Sequence, residues 1–306
     1  MPRAVRLDNY GHRDVLYIAE VDMPSPAAGE VVVEMRAAGI NPGEASIRQG
    51  FLHDRFPTSF PSGQGTDLAG VVSAVGAGVT QWAVGDEVLG WSWRRSSHAD
   101  YVEVPATQLV RKPTGVSWEA AGALGVAGPT AWAAVEAVKP VAGETVAVSA
   151  AAGGVGVLTV QLLSLRGVRV LGIASEANHE WLRSRGVEPV AYGDGLADRL
   201  RAAAPQGLDA FIDLFGPQYL DLALELGVAP QRIETIISFQ RAAEIGAQTQ
   251  GSGDATTVEV LSELAGLIAA GRLEVPIAAT YRLEQVADAY AELEQRHTRG
   301  KIVLVP

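Results

Sequence analysis

Along this 306-residue chain the apolar positions keep two different rhythms. Up to about Gly115 they fall in short runs, at 30–36, 68–75 and 87–89, broken by Pro-Gly, Gly-Ala-Gly and Gly-Asp turn signals. That punctuation predicts a β-rich first part. From Ser117 onward helix-like and strand-like segments alternate, beginning with 118–124 and 130–138. A helix at 196–203 precedes apolar strands at 210–214 and 232–238. The helix at 257–270 carries Val260, Leu261, Leu264 and Leu267 on one face. Residues 275–281, a helix at 283–293 and a last strand at 301–305 follow. Strand–helix alternation predicts an α/β domain whose parallel sheet is covered on both faces.

Residues 145–175 are the most specific part of this pattern. Val146 and Val148 lie in a short β-branched apolar run, as a parallel strand buried on both faces requires. The chain then turns through Ala151, Gly153 and Gly156, spaced A-x-G-x-x-G. A Cβ at Gly153 would hold the backbone off a phosphate, and one at Gly156 would push the following helix off its strand. Val155, Leu158, Leu162 and Leu165 follow at helical spacing, and 168–174 forms a second strand. The free N–H groups at the helix start present partial positive charge to an anion. A glycine fingerprint in this setting predicts a nicotinamide dinucleotide site.

Composition narrows the class further. With 48% hydrophobic and 19% charged residues, the chain has the proportions of a globular protein of one large or two medium domains. A net charge of −11 without a basic cluster argues against nucleic-acid or anionic-membrane partners. No basic-then-apolar leader stands at the N-terminus, which leaves the cytoplasm as the expected compartment. The Ala/Gly-rich stretch 119–138 is long enough to raise the question of a membrane span. Its Glu119, Glu136 and Pro129 argue for a packed segment instead. There is no cysteine, which removes disulfides, thiolate zinc sites and a cysteine nucleophile together. Histidines at 12, 53, 98, 179 and 297 show no metal-ligand spacing.

The order of elements, with AGINPGEASIRQG (38–50), GTDLAGVV (65–72), VGDEV (84–88), AGPTAW (127–132) and GKIVL (300–304), resembles the medium-chain dehydrogenase/reductase superfamily. The likeness is strongest to its zinc-free quinone oxidoreductase and enoyl reductase branch. It implies a GroES-like β-barrel domain formed by residues 1–116 and 272–306, with a Rossmann NAD(P)-binding domain, 117–271, inserted between them. Zinc-dependent alcohol dehydrogenases of the superfamily carry a cysteine near position 41 and a His-Glu pair where this chain has Thr66-Asp67. The chain therefore reads as metal-free, and reduction of an electrophilic carbon is favoured over alcohol oxidation.

Within that branch Asn41 matches a residue lining the nicotinamide pocket, Arg48 a commonly retained arginine, and Thr130 a threonine beside the nicotinamide ring. By position alone Asn41 before Pro42 is equally a turn starter, and Thr130 a helix-start residue after Pro129. Ser46 stands where quinone reductases commonly have a tyrosine and Glu44 replaces an aspartate, which implies a roomier pocket with a weaker acid.

On the cofactor side the resemblance assigns Ala151, Gly153, Gly154, Val155 and Gly156 to the pyrophosphate turn. Ser175 falls about 20 residues past the glycines, where an NAD enzyme carries an acid for the ribose 2′-hydroxyl. A serine leaves space for a phosphate, so NADPH is the expected cofactor, with Glu176 the opposing influence. His179 stands for the family's NADPH-binding lysine, Tyr192 keeps its tyrosine, and Arg183 and Arg185 lie nearby. A solvated helix face is the plain alternative for His179 and both arginines. Phe215-Gly216 and Lys301 fit segments near the nicotinamide, Lys301 being otherwise a surface charge. Phe239 either closes over the cofactor or lies at a subunit interface.

The implied activity is NADPH-dependent hydride transfer to a small quinone or α,β-unsaturated carbonyl compound. Trp91, Trp93 and Phe51 either line a planar pocket or serve in ordinary packing. One alternative is an enoyl reductase acting on a larger, polyketide-type intermediate; another is an NADPH-binding structural or regulatory protein with little turnover. A homodimer is implied by the resemblance alone.

Overall fold

In a computed structural model, which describes all of residues 1–306, the chain divides by compactness into two units. The first is Met1–Val126 together with Thr257–Pro306, and the second is Ala127–Thr256. The resemblance implies a second unit from 117 to 271. The helices Trp118–Gly122 and Val258–Ala269 side instead with the first unit, because they lie against Glu30–Gly39, Asp67–Val75 and Leu109–Arg111.

The first unit is built on the strand Glu30–Gly39. It pairs antiparallel with Asp67–Val75, with Tyr101–Pro105 and with Lys301–Val305. Val33 stands opposite both Val72 and Val102, so valines of three adjacent strands point into one core. That core also holds Val31, Met35, Leu68, Val88, Ile302 and Leu304. Glu87–Trp91 and Leu109–Arg111 extend the sheet on one side, and Ile277–Arg282 on the other. The C-terminal strand thus completes a sheet begun some 270 positions earlier, as the resemblance implies. A separate three-stranded sheet joins Tyr17–Glu20, Arg3–Leu7 and Ser62–Gly63.

The second unit has a five-stranded parallel sheet in the order Glu188–Ala191, Arg169–Ala174, Thr145–Val148, Ala210–Asp213, Ile233–Thr235. Its order reverses at Thr145–Val148, the arrangement that opens a ligand crevice at the carboxyl ends of the strands. Ala147, Leu171, Ile173, Phe211 and Ile233 are buried with Tyr219 and Leu220 in one apolar cluster. Burying a side chain such as Phe211 stabilises by roughly 1.5–3 kcal/mol.

The strand expected at 232–238 is shorter in the fold, Ile233–Thr235. Thr235 Oγ1 accepts from the Ile237 and Ser238 amides, at 3.3 and 3.0 Å, and this side-chain bonding ends the ladder. No helix is long and apolar enough to cross a membrane.

Candidate functional site

All five strands of the second unit run in one direction, so their carboxyl ends share an edge. After Thr145–Val148 the chain passes through Ala150 in the left-handed region (φ +46°) and enters the glycine turn. A Cβ on Gly156 would lie 2.1 Å from the Ala150 carbonyl oxygen, which no real contact tolerates. One on Gly153 would meet that oxygen at 3.2 Å and otherwise face open space. The helix Gly156–Leu165 follows, and the N–H groups of Gly154, Val155 and Gly156 find no acceptor in the chain. A row of unsatisfied donors at a helix start suits a pyrophosphate.

Each remaining strand delivers a residue singled out from sequence. Ser175 follows Ala174, and its Oγ accepts from Asn178 Nδ2 at 3.0 Å. His179 Nε2 lies 3.4 Å from the Ala174 carbonyl, which ties the imidazole to the same strand end. Tyr192 follows Ala191 and is 52% exposed. Phe215 and Phe239, both exposed in part, follow the last two strands. Thr130 is buried in the first turn of the helix Ala127–Ala137.

Asp213 organises this edge. It is fully buried, and it is approached by hydroxyl and amide groups rather than by a cation. Its Oδ1 accepts from Ser149 Oγ (2.8 Å) and the Phe215 and Gly216 amides (2.9 and 3.1 Å). Its Oδ2 accepts from Thr235 Oγ1 (2.8 Å) and Ser238 Oγ (3.2 Å). One carboxylate so joins three strand ends and the loops carrying Phe215 and Phe239. The sequence signal for it was slight, a single acid closing an apolar strand.

In the first unit the structure gathers Asn41, Glu44, Asp67, Tyr290 and Lys301 into one buried network. Asn41 is the extended N-cap of the helix Pro42–Arg48, with Pro42 in the first turn. The Glu44 carboxylate accepts from the Asn41 amide (3.0 Å), the Thr66 amide (2.9 Å) and the Tyr290 hydroxyl (2.8 Å). Asn41 Nδ2 donates to Glu44 Oε1 and Asp67 Oδ2, each at 3.2 Å.

Lys301 is only 4% exposed, so it is not the surface charge that its position before the last strand allowed. Its Nζ donates to Asn41 Oδ1 (2.5 Å), the Ile40 carbonyl (3.1 Å) and Asp67 Oδ2 (3.3 Å), which uses all three ammonium donors. Burial pushes the Asp67 carboxyl up, while the Lys301 charge pulls it back. The Tyr290 hydroxyl is pushed well up by burial and then by the charge of Glu44. Burial also holds His98 below its usual range, so it is a neutral ring beside this network.

Arg48 points inward: its guanidinium lies 4.6 Å from the Tyr290 ring centre and 2.9 Å from Glu294 Oε1. Its side chain is wholly removed from solvent. Ser46 is half-buried and its hydroxyl donates to the Pro42 carbonyl at 3.3 Å. Trp91 is buried, whereas Trp93 and Phe51 are exposed. None of the buried network partners was visible as a set in sequence, since Tyr290 lies 246 positions from Glu44.

Residues 27–141 match the family described as alcohol dehydrogenase GroES-like domain, and residues 185–304 match the zinc-binding dehydrogenase family. The human synaptic vesicle membrane protein VAT-1 homolog is 30% identical across 92% of this chain and 80% of its own length. This chain belongs to the medium-chain dehydrogenase/reductase superfamily. Within it the chain falls in the quinone oxidoreductase and enoyl reductase branch. The quinone oxidoreductase of Pseudomonas aeruginosa is 29% identical, with 100% of both chains covered. The Escherichia coli quinone oxidoreductase solved in complex with NADPH is similar at a TM-score of 0.88 and 26% identity, covering 99% of this chain and 100% of that one.

As a member of this superfamily the chain is a quinone oxidoreductase-like oxidoreductase from a family that binds NAD(P)H. Zinc members of the superfamily need three protein ligands around an open position. No group of three His, Cys, Asp or Glu side chains here is arranged to hold a metal ion, although one matched family bears a zinc-binding name.

Proposed function

We propose that this protein is an NADPH-dependent reductase that transfers hydride to a quinone or an α,β-unsaturated carbonyl compound without a catalytic metal. The observation that carries the proposal is the carboxyl edge of the parallel sheet. It offers unsatisfied backbone donors at Gly154–Gly156 and a hydroxyl rather than an acid at Ser175. The residues present fit the cofactor, because the outer side of Gly153 is open where a Cβ would stand in the way.

When bound, the reduced nicotinamide supplies the hydride. The amides at the start of the helix Gly156–Leu165 hold the pyrophosphate, and Ser175 and Tyr192 receive the 2′-phosphate. Phe215 and Phe239, fixed through Asp213, exclude water from the nicotinamide half. In the first unit Lys301 and Glu44 hold Asn41 in a single orientation. The exposed Phe51 and Trp93 favour a flat apolar acceptor, and Ser46 leaves room for one. Rate enhancement then comes chiefly from holding cofactor and acceptor in register, since no strong general acid projects from these residues.

The test is a 340 nm assay with NADPH, and separately NADH, against a panel of quinones and enones. Acceptor-dependent oxidation of NADPH, with NADH much slower, supports the reading. Equal rates remove the NADPH preference. Tight NADPH binding without turnover on any acceptor replaces the reductase with a non-catalytic protein or one of narrow biosynthetic substrate.

A further inference from the structure

Arg199 lies in the helix Leu196–Ala203, whose N-cap Gly195 sits at φ +76°. Its guanidinium folds back along the chain onto the preceding turn. Nε donates to the Ala191 carbonyl (3.0 Å), Nη2 to the Gly193 carbonyl (3.1 Å) and Nη1 to the Asp194 carbonyl (2.7 Å). These three carbonyls bracket Tyr192, whose side chain stands out to solvent. A planar fork spans three acceptors in fixed directions, whereas a lysine ammonium is a single point.

The charge on Arg199 is not spent on a carboxylate. All its side-chain bonds go to neutral carbonyls, and the adjacent Asp198 pairs with Arg201 at 3.1 Å. Arg199 is half-exposed, so its field reaches the surface. Ala174 and Ala191 are register partners on adjacent parallel strands. Ser175 and Tyr192 therefore follow the ends of neighbouring strands. Glu176, exposed beside Ser175, is the opposing charge on that strand end.

We propose that Arg199 is a positioning residue for the 2′-phosphate of the cofactor, acting by clamping the turn that displays Tyr192 and by placing on that turn a positive charge not spent on a carboxylate. The proposal rests on the NADPH reading above. It assigns a cofactor-discriminating role to a residue outside both the glycine turn and the strand ends.

The experiment is calorimetric titration of adenosine 2′,5′-bisphosphate and of AMP into the wild type and into Arg199→Gln and Arg199→Lys. The wild type is expected to bind the bisphosphate at least tenfold more tightly than AMP. In R199Q that ratio falls at least fivefold while AMP affinity stays within twofold. R199K keeps the charge but not the three-point clamp and falls between; it also carries the test if R199Q does not fold. An unchanged ratio in both variants, or an equal loss of both ligands, overturns the role of Arg199 and leaves the NADPH reading standing. A wild type that does not discriminate overturns both.

Discussion

Lys301 Nζ lies 2.5 Å from Asn41 Oδ1 and 3.3 Å from Asp67 Oδ2, so the last strand of the chain fixes the residue that opens the helix Pro42–Arg48. Removing one member of a buried pair leaves the other charge without compensation, which typically costs about 3–5 kcal/mol. Lys301→Met is therefore expected to lower stability by that order in equilibrium denaturation. The double variant Lys301→Met/Asp67→Asn should recover a large part of the loss, because no charge is then stranded. Additive losses in the double variant would show that the pair is not coupled.

The two glycines of the fingerprint should separate binding from folding. Gly156→Ala brings a Cβ to 2.1 Å from the Ala150 oxygen, a backbone atom that cannot swing aside. It should destabilise the second unit by a few kcal/mol, as overpacking does. Gly153→Ala meets the same oxygen at 3.2 Å and points otherwise into open space. It should melt close to the wild type yet lose at least tenfold in nucleotide affinity. Retained affinity in G153A would place the pyrophosphate elsewhere.

The contrast between these glycines also shows what sequence makes legible. The parallel sheet of the second unit is read easily, because strands buried on both faces are continuous apolar runs and the helix at 196–203 has clear periodicity. Even there, the end of the last strand depends on the Thr235 hydroxyl, which competes with the ladder. The first unit is harder: Arg3–Leu7 and Tyr17–Glu20 are short strands with charged residues among them and carry little signal. The glycine turn, Ser175, Tyr192 and Phe215 reach one edge of the parallel sheet, because strand register is local. Partners such as Lys301 and Asp67, 234 positions apart, meet only through tertiary pairing. No window along the chain contains both.

Glu234 predicts a pH dependence that has nothing to do with the cofactor. It is fully buried on the edge strand, and neither carboxyl oxygen makes a hydrogen bond. Burial pushes this carboxyl from 4.5 up to about 8; the charge of Asp254 adds to the rise and the nearby Gln250 amide opposes it. The folded state then holds a proton that the unfolded chain releases. Its contribution to stability is complete below about pH 4.5 and is lost as pH rises to about 8. The total is of the order of 3–5 kcal/mol. Glu234→Gln should flatten this slope and exceed the wild type in stability at pH 9. Parallel stability curves for the two proteins between pH 5 and 9 would remove Glu234 as their source.

Ser175 is the position at which cofactor choice should reverse most simply. It follows Ala174 at the carboxyl end of its strand, where an acid would bond the ribose 2′-hydroxyl. Ser175→Asp sets a carboxylate against the 2′-phosphate and gives the free 2′-hydroxyl of NADH an acceptor. The neighbouring Glu176 already contributes negative charge, so the substitution adds to an existing repulsion. The expected result is a fall in kcat/KM for NADPH of about 100-fold, or ~2.7 kcal/mol, with a several-fold rise for NADH. Steady-state kinetics with both cofactors and one fixed quinone decide it. If the two cofactors fall together, Ser175 shapes the fold of the turn and does not read the 2′ position.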